Sequence, residues 1–245
     1  MRSPGAKASA RVAPRHLVVV AGVAILVVAL LRSGRLSENL LISLVVLIPS
    51  VILHEIAHGA TANALGDNTA KRAGRLSLNP VRHVDPLGTL LLPALTILAG
   101  AGYIGWAKPV PTDPRQLRSP RNNAVLVALA GPITNLFLVI VAFVGFQMTY
   151  HPYAFQLGLG ARVFFYLGLT NLWLAGINLL PVPPLDGSAL LERMLPASAW
   201  PRYLKIRPLL FPILIGVVLG STLLHLGLLE HLNSWLFNWW VSLVA

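Results

Sequence analysis

The sequence predicts an all-α polytopic membrane protein with about six transmembrane helices. Three observations carry that prediction. Of 245 residues, 56% are hydrophobic and only 11% are charged, with a mean hydropathy of +0.71. The apolar residues are gathered into runs long enough to cross a bilayer. The basic residues, which give a net charge of +11, fall in the short loops between those runs. A basic balance can mark a nucleic-acid partner. Loop placement reads instead as the charge asymmetry that orients membrane helices, so no nucleic-acid partner is expected.

The elements follow in chain order. Residues 1–15 form a basic tail, expected to be disordered and cytosolic. Residues 16–31 are apolar after a basic start but end in Leu30-Leu31-Arg32-Ser33, with no small-x-small cleavage site. They are therefore expected to be an uncleaved anchor rather than a signal peptide. Further spans are expected at about 40–65, 123–148, 162–181 and 208–229, and a weaker segment at 232–245 is expected to span or to lie at the interface. The membrane-embedded domain is thus expected over about 16–230. The stretch 87–107 is apolar but carries Pro93 and several glycines, so it is expected to be re-entrant or interfacial.

Charge supports that arrangement. Sixteen of the nineteen basic residues fall on one side if the N-terminus, 66–122 and 182–207 are cytosolic; only Arg32, Arg35 and Arg162 fall on the other. For 66–122 to begin and end on one side, 87–107 must dip in and return. The expectation is a multi-pass protein of the cell membrane with a cytosolic N-terminus.

Chemistry concentrates in the second apolar run. His54-Glu55-Ile56-Ala57-His58 places two imidazoles at i and i+4 on one helix face, where both can reach one metal ion, with Glu55 placed to act on the attacking water. Ionisable groups in such a run cost several kcal/mol without compensation, so they are expected to be functional. The chain has no cysteine, which excludes disulfides, iron–sulfur clusters and thiolate-bound zinc, so a metal must use His, Asp or Glu. Catalytic zinc takes three protein ligands and leaves a position open. Of eight acidic residues, Glu38, Asp67, Asp85, Asp113, Glu192 and Glu230 fall in expected loops or segment ends, and Glu55 is in the motif. Asp186 remains, at the end of Asn178-Leu-Leu-Pro-Val-Pro-Pro-Leu-Asp-Gly187. Pro181, Pro183 and Pro184 are expected to force an extended stretch there. With the second and fourth spans running the same way, His54, His58 and Asp186 are expected at similar depth.

Taken together, these motifs resemble the site-2 proteases, a family of intramembrane zinc metalloproteases. The likeness rests on His54 to His58, on Gly131-Pro132-Ile133-Thr134-Asn135, and on Asn178 to Gly187, which matches N-x-x-P-x-P-x-L-D-G throughout. Asn79 to Thr89 (NPVRHVDPLGT) resembles the compact bacterial branch without a PDZ domain, and the likeness covers roughly 40–210. The resemblance implies a core of three helices around one Zn2+ per chain. It implies ligands His54, His58 and Asp186, the catalytic glutamate Glu55, and Asn135 as a holder of substrate or oxyanion. It implies a transmembrane protein as substrate, cut within the bilayer. Gly105 to Pro111 resembles the family's re-entrant β-hairpin, which offers an edge to extended substrate. Asn178, His83 and Asp85 are expected to be structural, Gly131-Pro132 a packing and helix-start feature, and Trp235, Trp239 and Trp240 part of an aromatic belt. Two other readings stay open: a catalytically silent membrane binder, against which the intact Glu55 argues, and an ion transporter, for which no repeat symmetry is visible.

Overall fold

The computed structural model describes residues 28–29, 32–34, 37–91, 94, 97–98, 107–224 and 226–244. The chain divides into two compact units, Met1–Leu36 with Pro86–Trp106, and Ser37–Asp85 with Ala107–Ala245. In the smaller unit, Pro86–Leu91 form a π-helix. Most of the anchor segment 16–31, and Gly105 and Trp106 of the expected hairpin, lie outside the described residues.

The larger unit is helical throughout its regular structure among the described residues. Helix α1 (Glu38–Ala64) opens on Ser37, whose hydroxyl accepts from the Leu40 amide. After it come the short α2 (Thr69–Arg72), then α3 (Pro120–Thr149), α4 (Leu159–Asn178), α5 (Ser188–Met194), α6 (Trp200–Leu223) and α7 (Leu228–Val244). The five longer helices lie close to the apolar segments read from the sequence. Two of them, α1 and α3, are long and apolar enough to cross a membrane. The count of six spans is not reached among the described residues. The apolar runs of α6 are interrupted by Pro208 and Pro212, and α7 has only 17 residues, about 25 Å of helix.

Helices α1, α3 and α4 pack mutually. Their directions follow from named contacts. At one end, Arg162 near the start of α4 pairs with Glu38 at 2.9 Å and donates to Asn39 at 2.7 Å, both at the start of α1. The two helices are therefore parallel, as the sequence reading expected. At the other end, the Arg118 amide, just before α3, donates to the Leu65 carbonyl just after α1, so α3 runs antiparallel to both.

The core helices are apolar outside and polar within. On α3, Ile133, Phe137, Ile140 and Val144 are exposed, whereas Gly131, Asn135, Val139 and Ala142 are buried. On α1, Val45 and Ile48 face out, while Ser50, His54 and His58 are buried. An outward band of large apolar side chains suits lipid rather than water. Further along α3 and α4, a second core gathers Phe146, Ala161 and Leu172 with Leu236, Trp240 and Val244 of α7. Trp240 is fully buried there, against Gly168 of α4. It is a core residue, which corrects the aromatic-belt expectation; Trp235 and Trp239 are exposed.

Two local expectations are also corrected. Pro132 does not start a helix: α3 begins at Pro120, and Pro132 lies inside it. The proline-rich loop after α4 is not extended but folds back in tight turns, with Val182 donating to the Leu180 carbonyl and Leu185 to that of Val182. The Gly187 amide closes the loop onto the Asn178 carbonyl at 2.6 Å. An added Cβ on Gly187 would lie 2.5 Å from the Leu179 carbonyl carbon, so only glycine lets the loop shut.

Candidate metal centre

Helix α1 carries His54 and His58 on its buried face, about 15 Å and about 9 Å from its C-terminal end. The closed loop after α4 delivers Asp186 to them. His54 Nε2 and His58 Nε2 lie 3.0 Å apart. Asp186 Oδ2 lies 3.2 Å from the first and 3.3 Å from the second. The topology thus brings together the three residues read as ligands, and among the described residues they form a cluster able to hold a metal.

Their other hydrogen bonds decide what the cluster wants. His58 Nδ1 faces the Val127 carbonyl at 2.7 Å. A carbonyl only accepts, so Nδ1 carries the proton and Nε2 holds a lone pair. His54 Nδ1 faces Asn135 Oδ1 at 2.6 Å, with the same result. Asp186 Oδ2 is buried without a hydrogen-bond donor. Three lone pairs converge on one point, an arrangement that a bound cation would satisfy. Donors bound at about 2.1 Å around a tetrahedral ion stand about 3.4 Å apart, close to the triangle seen here. Two imidazoles and a carboxylate are a donor set that zinc accepts, with a fourth position left for water or substrate.

Gly131 completes the cradle. An added Cβ would fall 2.6 Å from His54 Nε2 and closer still to His58 Nε2. The first residue of Gly131-Pro132 therefore gives the imidazoles their room, a role more specific than helix packing. Gly59, beside His58, has a similar function on the other side. A Cβ there would lie 2.7 Å from Leu76 Cδ2 and 3.0 Å from Val110 Cγ1, so glycine lets the loop after α1 and the segment around Val110 close onto the helix.

Glu55 points into that second region. Its Oε2 accepts from the Val110 amide at 2.7 Å. Val110 lies in an irregular segment, Ala107–Thr112. Arg75, itself buried, grips this segment by donating to the Lys108 carbonyl at 2.6 Å and the Pro109 carbonyl at 3.3 Å. Asp67 fastens its end by accepting from the Asp113 amide at 2.6 Å and the Thr69 amide at 2.9 Å. Burial pushes the Asp67 carboxyl up, but the hydrogen bonds from the Thr69 side chain and from the Asp113 and Thr69 amides outweigh it and hold the group below the usual carboxylate value. Half-buried Asp113, bonded to Arg115 and Gln116, is pulled down to about 2.

Asn135 is fully buried. Its Oδ1 accepts from His54, and its Nδ2 donates to Asn171 Oδ1 at 3.1 Å. To donate to an oxyanion, Nδ2 would have to use its second hydrogen or leave Asn171. Asn178 donates to the Leu174 carbonyl within α4 and accepts the loop closure from Gly187. His83 is buried away from the cluster, with Nε2 donating to the Ser77 carbonyl and its own carbonyl accepting from Lys108. Sequence reasoning did not find Ser50 and Asn171. The available signal was a polar residue inside each of two apolar runs, Ser50 after Pro49 and Asn171 after Thr170.

The chain is 39% identical over 191 residues to "Putative zinc metalloprotease YwhC" of Bacillus subtilis, a match covering 74% of this chain and 82% of the relative. The chain belongs to this zinc metalloprotease family, which is consistent with the compact site-2 protease resemblance. Rip2 of Mycobacterium tuberculosis, named likewise as a zinc metalloprotease, is 39% identical over 144 residues, 58% of this chain and 53% of the relative. MJ0611 of Methanocaldococcus jannaschii, similarly named, is 31% identical over 152 residues, 62% of this chain and 70% of the relative. No family model and no solved structure matches the chain.

Proposed function

We propose that this family member is an intramembrane zinc endopeptidase of the site-2 type, resident in the cell membrane with its N-terminus cytosolic, that hydrolyses peptide bonds of transmembrane proteins. The observation that carries the reading is the convergence of the lone pairs of His54, His58 and Asp186 inside helices whose outer faces are apolar. These three residues would hold one zinc ion. Zinc, when bound, makes water acidic enough to ionise near neutral pH and polarises a carbonyl.

The rest is the work of the chain itself. Glu55 receives a proton from the attacking water and returns it to the leaving amine, using the carboxylate oxygen not held by Val110. Asn135 holds His54 with Nε2 free for the metal, and its remaining Nδ2 hydrogen faces the work of binding substrate or oxyanion. The segment Ala107–Thr112 lies against Glu55 and offers backbone to an extended substrate. A transmembrane helix keeps its amides in its own hydrogen bonds, so a substrate must unwind locally before it can be cut.

The test is cleavage of a model single-span substrate by purified protein, wild type against Glu55→Gln, with zinc determined in both. Cleavage by wild type alone, with about one zinc per chain in both, establishes the reading. Wild type prepared in the presence of zinc yet free of it would overturn the reading.

A further inference from the structure

We infer that Asn171, anchored on Ser50, is a positioning residue for the metal site, fixing the proton of His54 through Asn135. This inference rests on the zinc reading above. The argument is one of hydrogen-bond direction. Ser50 Oγ lies 2.7 Å from the Val46 carbonyl, which can only accept, so the hydroxyl proton points there. The hydroxyl lone pair is then left for Asn171 Nδ2 at 2.9 Å. A second carbonyl, that of Leu167 at 2.8 Å, accepts from the same Nδ2, so the Asn171 amide cannot be turned over.

With its nitrogen committed, Asn171 presents Oδ1 to Asn135, which must answer with Nδ2 at 3.1 Å. Asn135 therefore presents Oδ1 to His54, and His54 Nδ1 must donate. Two backbone carbonyls, one on α1 and one on α4, thus dictate through two carboxamides which nitrogen of His54 keeps a lone pair. Asn135 and Asn171 have 0% relative exposure and Ser50 1%, so the side-chain links between these three are closed to bulk water. Because Asn171 is on α4, the chain also ties His54 to the helix whose following loop carries Asp186.

The roles are separable. Zinc affinity is measured by competition with a chelator, alongside the visible spectrum of the cobalt(II)-substituted protein and the melting temperature of the metal-free protein. The variants are Asn171→Leu, which roughly conserves volume and removes the hydrogen bonds, and Ser50→Ala. Asn171→Leu is expected to weaken zinc binding about 10- to 100-fold and to shift the cobalt bands; Ser50→Ala, one link further away, is expected to weaken it less. A merely structural role would lower the melting temperature of the metal-free protein and leave the zinc affinity of the folded fraction unchanged; that result overturns the inference. If Asn171→Leu does not fold, Ser50→Ala decides, and wild-type zinc affinity in that variant overturns it. Wild type that takes up no zinc would overturn the metalloprotease reading itself, and this one with it. Wild type that binds zinc beside variants binding equally well would overturn this one alone.

Discussion

Helices α3 and α4 pack against each other along two regions of opposite character. Around Gly131, Asn135 and Asn171 they enclose polar side chains, each with a directed partner. Around Phe146, Ala161 and Leu172 they close on α7 through apolar contacts centred on Trp240. Dispersion and burial have no direction, so the apolar region can relax around a changed side chain. The polar region cannot, because a lone pair turned the wrong way leaves a buried group unpaired. Substitutions at the polar end should therefore remove function and leave a fold, whereas those at the apolar end should reduce stability and leave the site.

The sharpest way to break that comparison is Gly131→Ala, a single added methyl group. It is expected to abolish stoichiometric zinc uptake, as determined by elemental analysis, because the Cβ claims the space of both imidazole nitrogens. A zinc-replete Gly131→Ala protein would show the cradle to be more plastic than its packing implies. Glu55→Gln follows: zinc retained, cleavage of a single-span substrate reduced about 10²- to 10⁴-fold, the range assigned to general acid–base catalysis. At the apolar end, Trp240→Ala is expected to destabilise the protein by about 3–5 kcal/mol in reversible denaturation while the folded fraction keeps its zinc. Trp240→Phe should cost less, since the indole N–H has no hydrogen-bond partner to lose.

The smallest effect concerns pH. The folded-state value of Asp67 is lowered, so its stabilising contribution is present above about pH 4 and is lost as pH falls through the folded value. Asp67→Asn should therefore reduce the difference between melting temperatures measured at neutral pH and at about pH 3. A pH profile identical to wild type would remove Asp67 from the account of how the loop is fastened.

What could be read from the sequence divides along the same line. His54, His58 and Glu55 were legible because a fixed helical spacing puts them on known faces, and Asp186 because few carboxylates were left to choose from. Ser50 and Asn171 were not legible as partners: they meet across 121 positions of chain, and no local periodicity reports such a contact. Trp240 was misread because a tryptophan near the end of an apolar segment suits an interface and a core equally; the deciding fact is Gly168, seventy-two positions earlier on another helix. The prolines showed that α4 must end. They did not show that Gly187 would fold the loop back onto Asn178, because turning rather than extending depends on that long-range closure.

The hydrogen bond between Glu55 and Val110 has a consequence for competition. Pro109 and Pro111 have no amide hydrogen, so Val110 supplies the sole backbone donor of that three-residue stretch, and the carboxylate holds it. A tethered donor faces its acceptor at an effective concentration in the millimolar range or above. Any group arriving at Glu55 Oε2 therefore competes with a partner already in place. That one oxygen is occupied at rest, and the protein sets the threshold that a donor arriving there must exceed.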